Sequence, residues 1–165
     1  MPFSEKAKSF LLTNKFKKEV SLLEIGPKHG KDTEFILKNF NIKSYVIFEL
    51  KEKMNILNPI LDKLSKKYNI NFDIIVKNIM YENMETSKFD IILCNGVLYH
   101  NAEQLKFLRK LYKMVNKDGI LFIESAICRN PLYYESSCIE VNATGRQGGN
   151  REAVLSVPEK DILKN

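Results

Sequence analysis

The chain has 165 residues, 44% of them hydrophobic and 28% charged, with a formal net charge of +6. That length suits one domain able to bury roughly 70% of its unfolded surface. No apolar run approaches the ~20 residues that a bilayer-spanning helix needs, and Phe10-Leu11-Leu12 is far too short for a secretory core, so a cytoplasmic protein is expected. Three cysteines, Cys94, Cys128 and Cys138, lack paired spacing, and there are only two histidines. Neither a disulfide framework nor a metal site is supported, and reduced thiols are expected.

Positive charge alone invites a nucleic-acid partner. Here, however, only four of the 26 basic residues are Arg, the better bidentate reader of phosphate, and the lysines are scattered. A small-molecule partner is therefore favoured, with nucleic acid as the lesser alternative. The oligomeric state is not encoded in any motif.

Met1–Glu19 is expected to be a helical segment preceding the core. Short, nearly continuous apolar runs then recur at Val20–Ile25, Tyr45–Glu49, Phe72–Val76, Phe89–Cys94 and Gly119–Glu124. Runs of this kind suit strands covered on both faces in a parallel sheet. Between them lie helical patterns. A helix is predicted from Lys31 to about Phe40, with Ile36 and Phe40 inward. Met54, Leu57, Leu61, Leu64 and Tyr68 form one stripe at three- and four-residue spacing. Leu105, Leu108, Leu111, Tyr112 and Val115 form another, with Lys106, Arg109, Lys110 and Lys113 facing out. Only a single turn is predicted near Met80–Met84.

Alternation of this kind predicts a Rossmann-like α/β fold: an open parallel sheet with helices on both faces. One domain over residues 1–165 is expected, with its core at 20–127. The remainder, 128–165, is predicted to be irregular, with Gly145, Gly148 and Gly149 in it. It closes on a helix start at Ser156-Val157-Pro158-Glu159, where Ser is the N-cap and Glu the capping-box partner.

Ligands of open α/β sheets bind beyond the carboxyl ends of the strands. The five predicted strands end at Glu24, Glu49, Lys77-Asn78, Asn95 and Glu124-Ser125, all polar. A strand must end somewhere polar, but five such ends beside a glycine loop favour a binding edge. That loop is Glu24-Ile25-Gly26-Pro27-Lys28-His29-Gly30. Gly26 permits a tight turn, and Gly30 lets a helix begin close to the strand with its N–H groups toward the site. Lys28 stands where a dinucleotide fingerprint would have its second glycine, which disfavours a nicotinamide dehydrogenase. Glu49, 19 residues beyond Gly30, can accept both hydrogen bonds of a ribose diol.

LLEIGPKHG, YVIFEL, FDIILCNGVLYH and KDGILFIES together resemble the successive motifs of class I S-adenosylmethionine-dependent methyltransferases, over about residues 20–127. NGVLYHNAEQLKFLRKLYKMVNKDGILFIES also resembles the tRNA wobble-uridine carboxymethyltransferase family. The resemblance implies S-adenosylmethionine as cofactor. It implies that Glu24, Gly26 and Gly30, with Pro27 beside them, hold the methionine end. Glu49 and the adjacent Leu50 would take the ribose, Asn78 the adenine amino group and Ile79 the ring face, while Asn95 and Gly96 would line the sulfonium.

Pro27-Lys28 departs from the small residues usual in this loop. The family's fold also continues into a helix and an antiparallel hairpin that this sequence does not reach, so a truncated chain is expected. The cationic partners that a carboxylated cofactor needs lie partly in that region, which makes the ordinary cofactor the expectation.

Methyl transfer is an in-line displacement in which positioning supplies much of the rate, and a base is needed only where the nucleophile must lose a proton. His100 and Tyr99, after the fourth strand, are the candidate catalytic residues, although both equally suit packing of the next helix. The expected reaction is transfer to O or N of a small polar metabolite or glycan precursor. An RNA methyltransferase and a non-catalytic methyltransferase-like binding domain are the alternatives.

Overall fold

The computed structural model describes residues 5–13, 19–84, 86–125, 140–142 and 154–156. Helix α1 (Glu5–Thr13) leads into β1 (Val20–Ile25), α2 (Lys31–Asn39), β2 (Ile42–Glu49), α3 (Met54–Tyr68) and β3 (Phe72–Val76). Then follow β4 (Phe89–Asn95), α4 (Gln104–Met114) and β5 (Val115–Glu124). Single 3-10 turns sit at Lys51–Lys53, Ile79–Tyr81 and Leu98–His100.

The five strands form one sheet in the order β3-β2-β1-β4-β5, and every pairing is parallel. Successive side chains of a strand alternate between faces, and this one rule sorts the core into two halves. Leu22, Tyr45, Ile47, Ile91 and Leu93 point to the face covered by α1, α2 and α3, where Leu11, Ile36, Leu57 and Leu61 meet them. Leu23, Ile25, Phe48, Ile92 and Cys94 point the other way, against Phe107, Leu111 and Met114 of α4. The expected Rossmann-like sheet with helices on both faces is what the chain forms. Among the described residues, no helix is long and apolar enough to cross a membrane.

Three expectations need correction. The α4 stripe is phased differently from the sequence reading: Phe107, Leu111 and Met114 are buried, whereas Leu105 and Tyr112 are exposed at 59% and 76%. Val115 is the first residue of β5, not part of the helix, and Lys110 does not face simply outward. The helix carries more apolar residues than one face can bury, so counting Leu and Tyr at helical spacing could not tell the faces apart.

β5 also begins earlier than Gly119. Its register against β4 jumps from Phe89↔Val115 to Ile91↔Ile120, and Asp118 has φ +66° in that irregular stretch. The sequence identified the regular ladder and missed the bulge before it.

Finally, the segment after residue 127 is not irregular throughout. β6 (Glu140–Asn142) and β7 (Val154–Ser156) pair antiparallel as a separate two-stranded ladder. Ser156 therefore closes a strand; Val157-Pro158-Glu159, Cys128, Cys138 and the glycines of that segment lie outside the described residues.

Candidate functional site

β1 lies between β2 and β4, so the chain leaves it toward one side of the sheet and returns on the other. Loops leaving the carboxyl ends of such strands diverge and open a crevice. A cavity of about 610 Å³ lies there. Its walls include Glu24, Gly26, Pro27, Glu49, Leu50, Asn78, Ile79, Asn95, Gly96, Tyr99 and His100. Eleven of the twelve candidate residues from the sequence thus line one cavity.

Gly30 is the exception. It is the left-handed N-cap of α2, φ +62°, and a Cβ there would lie 2.7 Å from Ile60 Cγ2. Its lack of a side chain lets α2 start against α3, which aims the first turn of α2 at the crevice without the glycine lining it. Gly26 also has a left-handed backbone, φ +67°, and a Cβ would strike Val97 Cγ2 at 2.8 Å. Lys28 takes φ +51° in the same loop, an uncommon conformation for a residue with a side chain.

Glu24 is buried on the α2 face of the sheet. Its Oε2 accepts from Thr33 Oγ1 at 2.7 Å and from Tyr45 OH at 2.6 Å. Burial raises its pKa from 4.5 to about 7 against these two hydrogen bonds, with neighbouring Asp32 and Glu49 adding to the rise. The carboxyl is therefore poised to take up or release a proton near neutrality.

Glu49 ends β2 with its carboxylate turned back into the loops. Leu50 N–H donates to Oε1 at 2.8 Å and Lys28 N–H reaches Oε2 at 3.4 Å. Each oxygen keeps a further lone pair for a ligand. Burial pushes this carboxyl upward as well.

Asn95 closes β4 and donates Nδ2–H to Asp32 Oδ2 at 2.9 Å. Its Oδ1 is buried and has no hydrogen-bond partner among the described residues. A buried acceptor without a partner costs stability, so this oxygen offers an open acceptor in the cavity wall. Asn78 Oδ1 accepts from Met80 N–H at 2.9 Å and starts the turn that carries Ile79 into the wall.

Tyr99 and His100 share the 3-10 turn after β4, their rings 4.3 Å apart at centroids. Burial and the charge of Glu124 raise the Tyr99 pKa above the usual phenol value of 10.0, so at neutral pH it is a hydrogen-bond donor and a poor base.

The sequence reading missed Asp32, Thr33 and Tyr45, the residues that hold Glu24 and Asn95. Asp32 and Thr33 occupy the first turn of α2, where an acid and a hydroxyl are normally read only as complements to exposed N–H groups. Tyr45 carried a usable signal: a hydroxyl on a strand buried from both sides must find a partner indoors.

The methyltransferase domain family model matches residues 3–142. The N-terminal domain of EvdMO1, solved with S-adenosylhomocysteine bound, superposes with a TM-score of 0.73 at 14% identity, covering 96% of this chain and 67% of that one. The plantazolicin methyltransferase BpumL, also holding S-adenosylhomocysteine, superposes with a TM-score of 0.58 at 21% identity over 74% of this chain and 46% of that one. These two show the fold. Among curated proteins, the tRNA U34 carboxymethyltransferase of Campylobacter fetus subsp. fetus is 42% identical over 60 residues, 36% of this chain. That of Helicobacter acinonychis is 33% identical over 97 residues, 54% of this chain. The chain spans only 20% of the first relative's length and 34% of the second's. With the family model spanning most of its length, the chain belongs to the methyltransferase domain family, within the class I S-adenosylmethionine-dependent methyltransferases.

Proposed function

We propose that the cavity at the carboxyl edge of the sheet holds S-adenosylmethionine and that the chain transfers a methyl group to O or N of a small polar acceptor. The observation that carries this is the convergence of Glu24, Glu49 and the unpartnered Asn95 Oδ1 on one crevice between β1 and β4. Bound there, the cofactor supplies a methyl group already activated on a sulfonium.

The chain's own groups do the rest. Glu49 would accept from both ribose hydroxyls, with Leu50 beside it. Asn78 would meet the adenine edge, and Ile79 would cover the ring. The loop of Gly26 and Pro27, with the α2 start fixed by Gly30, would take the methionine end. The Asn95 Oδ1, held by Asp32, would accept from the methionine ammonium, and Gly96 would line the sulfonium. Glu24, once ionised, would add negative charge on that side of the cavity. His100 takes the proton of the attacking acceptor, and Tyr99 orients the acceptor through its hydroxyl.

A second reading, RNA as acceptor, is favoured by one observation: exposed Lys28, Lys31 and Lys77 stand around the cavity. The curated relatives are named for tRNA. The two readings separate in one assay, transfer of labelled methyl to a panel of polar metabolites and to bulk tRNA. RNA binding would weaken steeply with salt as counterions are released, whereas a small neutral acceptor would show little salt dependence. Cofactor binding with no transfer to any acceptor would support the non-catalytic alternative.

A further inference from the structure

The wall formed by the turn Ile79–Tyr81 has too little of its own to hold it. A single 3-10 turn closes on weak geometry and leaves its last carbonyls without partners inside the helix. Asn78 caps its start. At its end, an ammonium arrives from a distant helix. Lys110 Nζ donates to Ile79 O at 2.5 Å, to Glu82 O at 2.5 Å and to Met80 O at 3.2 Å. Lys110 belongs to α4 at the border of its buried face, between exposed Lys106 and Lys113 and buried Phe107 and Met114, and is itself half-buried.

A lysine ammonium has three protons to donate, and here three carbonyls receive them. Charged donors make the stronger hydrogen bonds, and a cation at the carbonyl end of a helical turn also opposes the turn's dipole. Lys77 Nζ and Glu82 Oε1, 3.0 Å apart, tie the two ends of the same loop together, but Lys77 is exposed and such a pair is worth little.

We infer that Lys110 is a positioning residue for cofactor binding: it clamps the turn that carries Asn78 and Ile79 to α4, and so fixes one wall of the cavity. Lys110 does not line the cavity. The turn's other link to this half of the core is apolar: buried Ile79 and partly buried Met80 share the cluster of Phe107 and Leu111. Apolar contact of that kind holds a depth but not a rotation of the turn, whereas three directed hydrogen bonds fix both.

This role rests on the cofactor reading proposed above, and the test has one arm that does not. In the intact chain, Lys110→Met should weaken S-adenosylhomocysteine binding about tenfold. It should also raise amide hydrogen exchange at Asn78–Glu82 without raising it in β1 or β4. Lys110→Arg, which keeps the charge and the donors, should restore most of the affinity and the protection. Uniformly faster exchange with unchanged affinity would mark Lys110 as a general stabiliser and overturn the proposal. Wild-type affinity and wild-type exchange in Lys110→Met would overturn it equally. If the wild-type chain binds no S-adenosylhomocysteine, the cofactor reading fails by itself. The exchange arm then still decides whether Lys110 holds the turn.

Discussion

The two ends of β1 and β4 use similar polar residues to opposite effect. At the amino end, Asp90 accepts from Ser21 N–H at 2.8 Å through one oxygen and from Asn116 Nδ2–H at 2.6 Å through the other. Its carboxylate joins β1 to β4 and β4 to the irregular start of β5, and both oxygens are engaged. At the carboxyl end, Glu24 concentrates two donors on one oxygen, Glu49 has its pKa raised by burial, and Asn95 keeps a buried oxygen unpartnered among the described residues. The amino end is closed by its own groups. The carboxyl end bears desolvated groups whose cost a ligand can offset, which is how a binding edge differs from a structural one in the same sheet.

Substitutions at the two ends should therefore separate function from stability. The largest effect is expected at His100. His100→Ala should cut turnover about 100-fold or more if it is the base, with cofactor affinity and melting temperature little changed. An unchanged turnover with intact cofactor affinity would remove His100 from that role.

Asp90→Ala should do the reverse. It leaves a strand N–H and an amide without their acceptor, at a cost of about 2–3 kcal/mol in denaturant titration, while the affinity of the remaining folded protein for S-adenosylhomocysteine stays at wild type. A loss of affinity with unchanged stability would erase the distinction between the two ends.

Glu24 should respond in both respects, with opposite signs. Its folded pKa of about 7 lies above the ordinary 4.5, so between those values the unfolded chain loses its proton first. The contribution to stability is thus complete below about pH 4.5 and lost as pH rises to about 7. Glu24→Gln should remove most of that dependence and stabilise the protein at pH 8 by about 2 kcal/mol. The same change should weaken cofactor binding, and wild-type affinity should rise as pH passes through 7 and Glu24 ionises. A variant that gains stability without losing affinity would show that the Glu24 charge serves no ligand.

The smallest effect is expected on the surface. Breaking Lys106–Glu103, a pair 3.1 Å apart with both partners exposed, should change stability by no more than about 0.5 kcal/mol.

Central strands were legible in the sequence because burial on both faces leaves apolar runs, and Val20–Ile25 was located to the residue. Phe72–Val76 was too, although as the edge strand it leaves Asp73, Ile74 and Val76 exposed rather than covered on both faces as expected. The cavity wall was legible for the same reason, since polar residues closing such runs must gather at one edge. The supporting contacts were not. Tyr45 and Glu24 are 21 positions apart, and Asp32 and Asn95 are 63 apart. Such pairs depend on which strands become neighbours, which no local pattern states. Lys110 was read as solvated because helical spacing assigns a face to a Cα, while a lysine stem is long enough to carry its charge to another element.

The central claim is that the carboxyl edge of the sheet is a cofactor site, and calorimetric titration tests it most directly. S-adenosylmethionine and S-adenosylhomocysteine should bind the chain with dissociation constants on the order of micromolar, Glu49→Ala should weaken both at least tenfold, and NAD should not bind. Absence of binding by both, or binding that Glu49→Ala leaves unchanged, would contradict it.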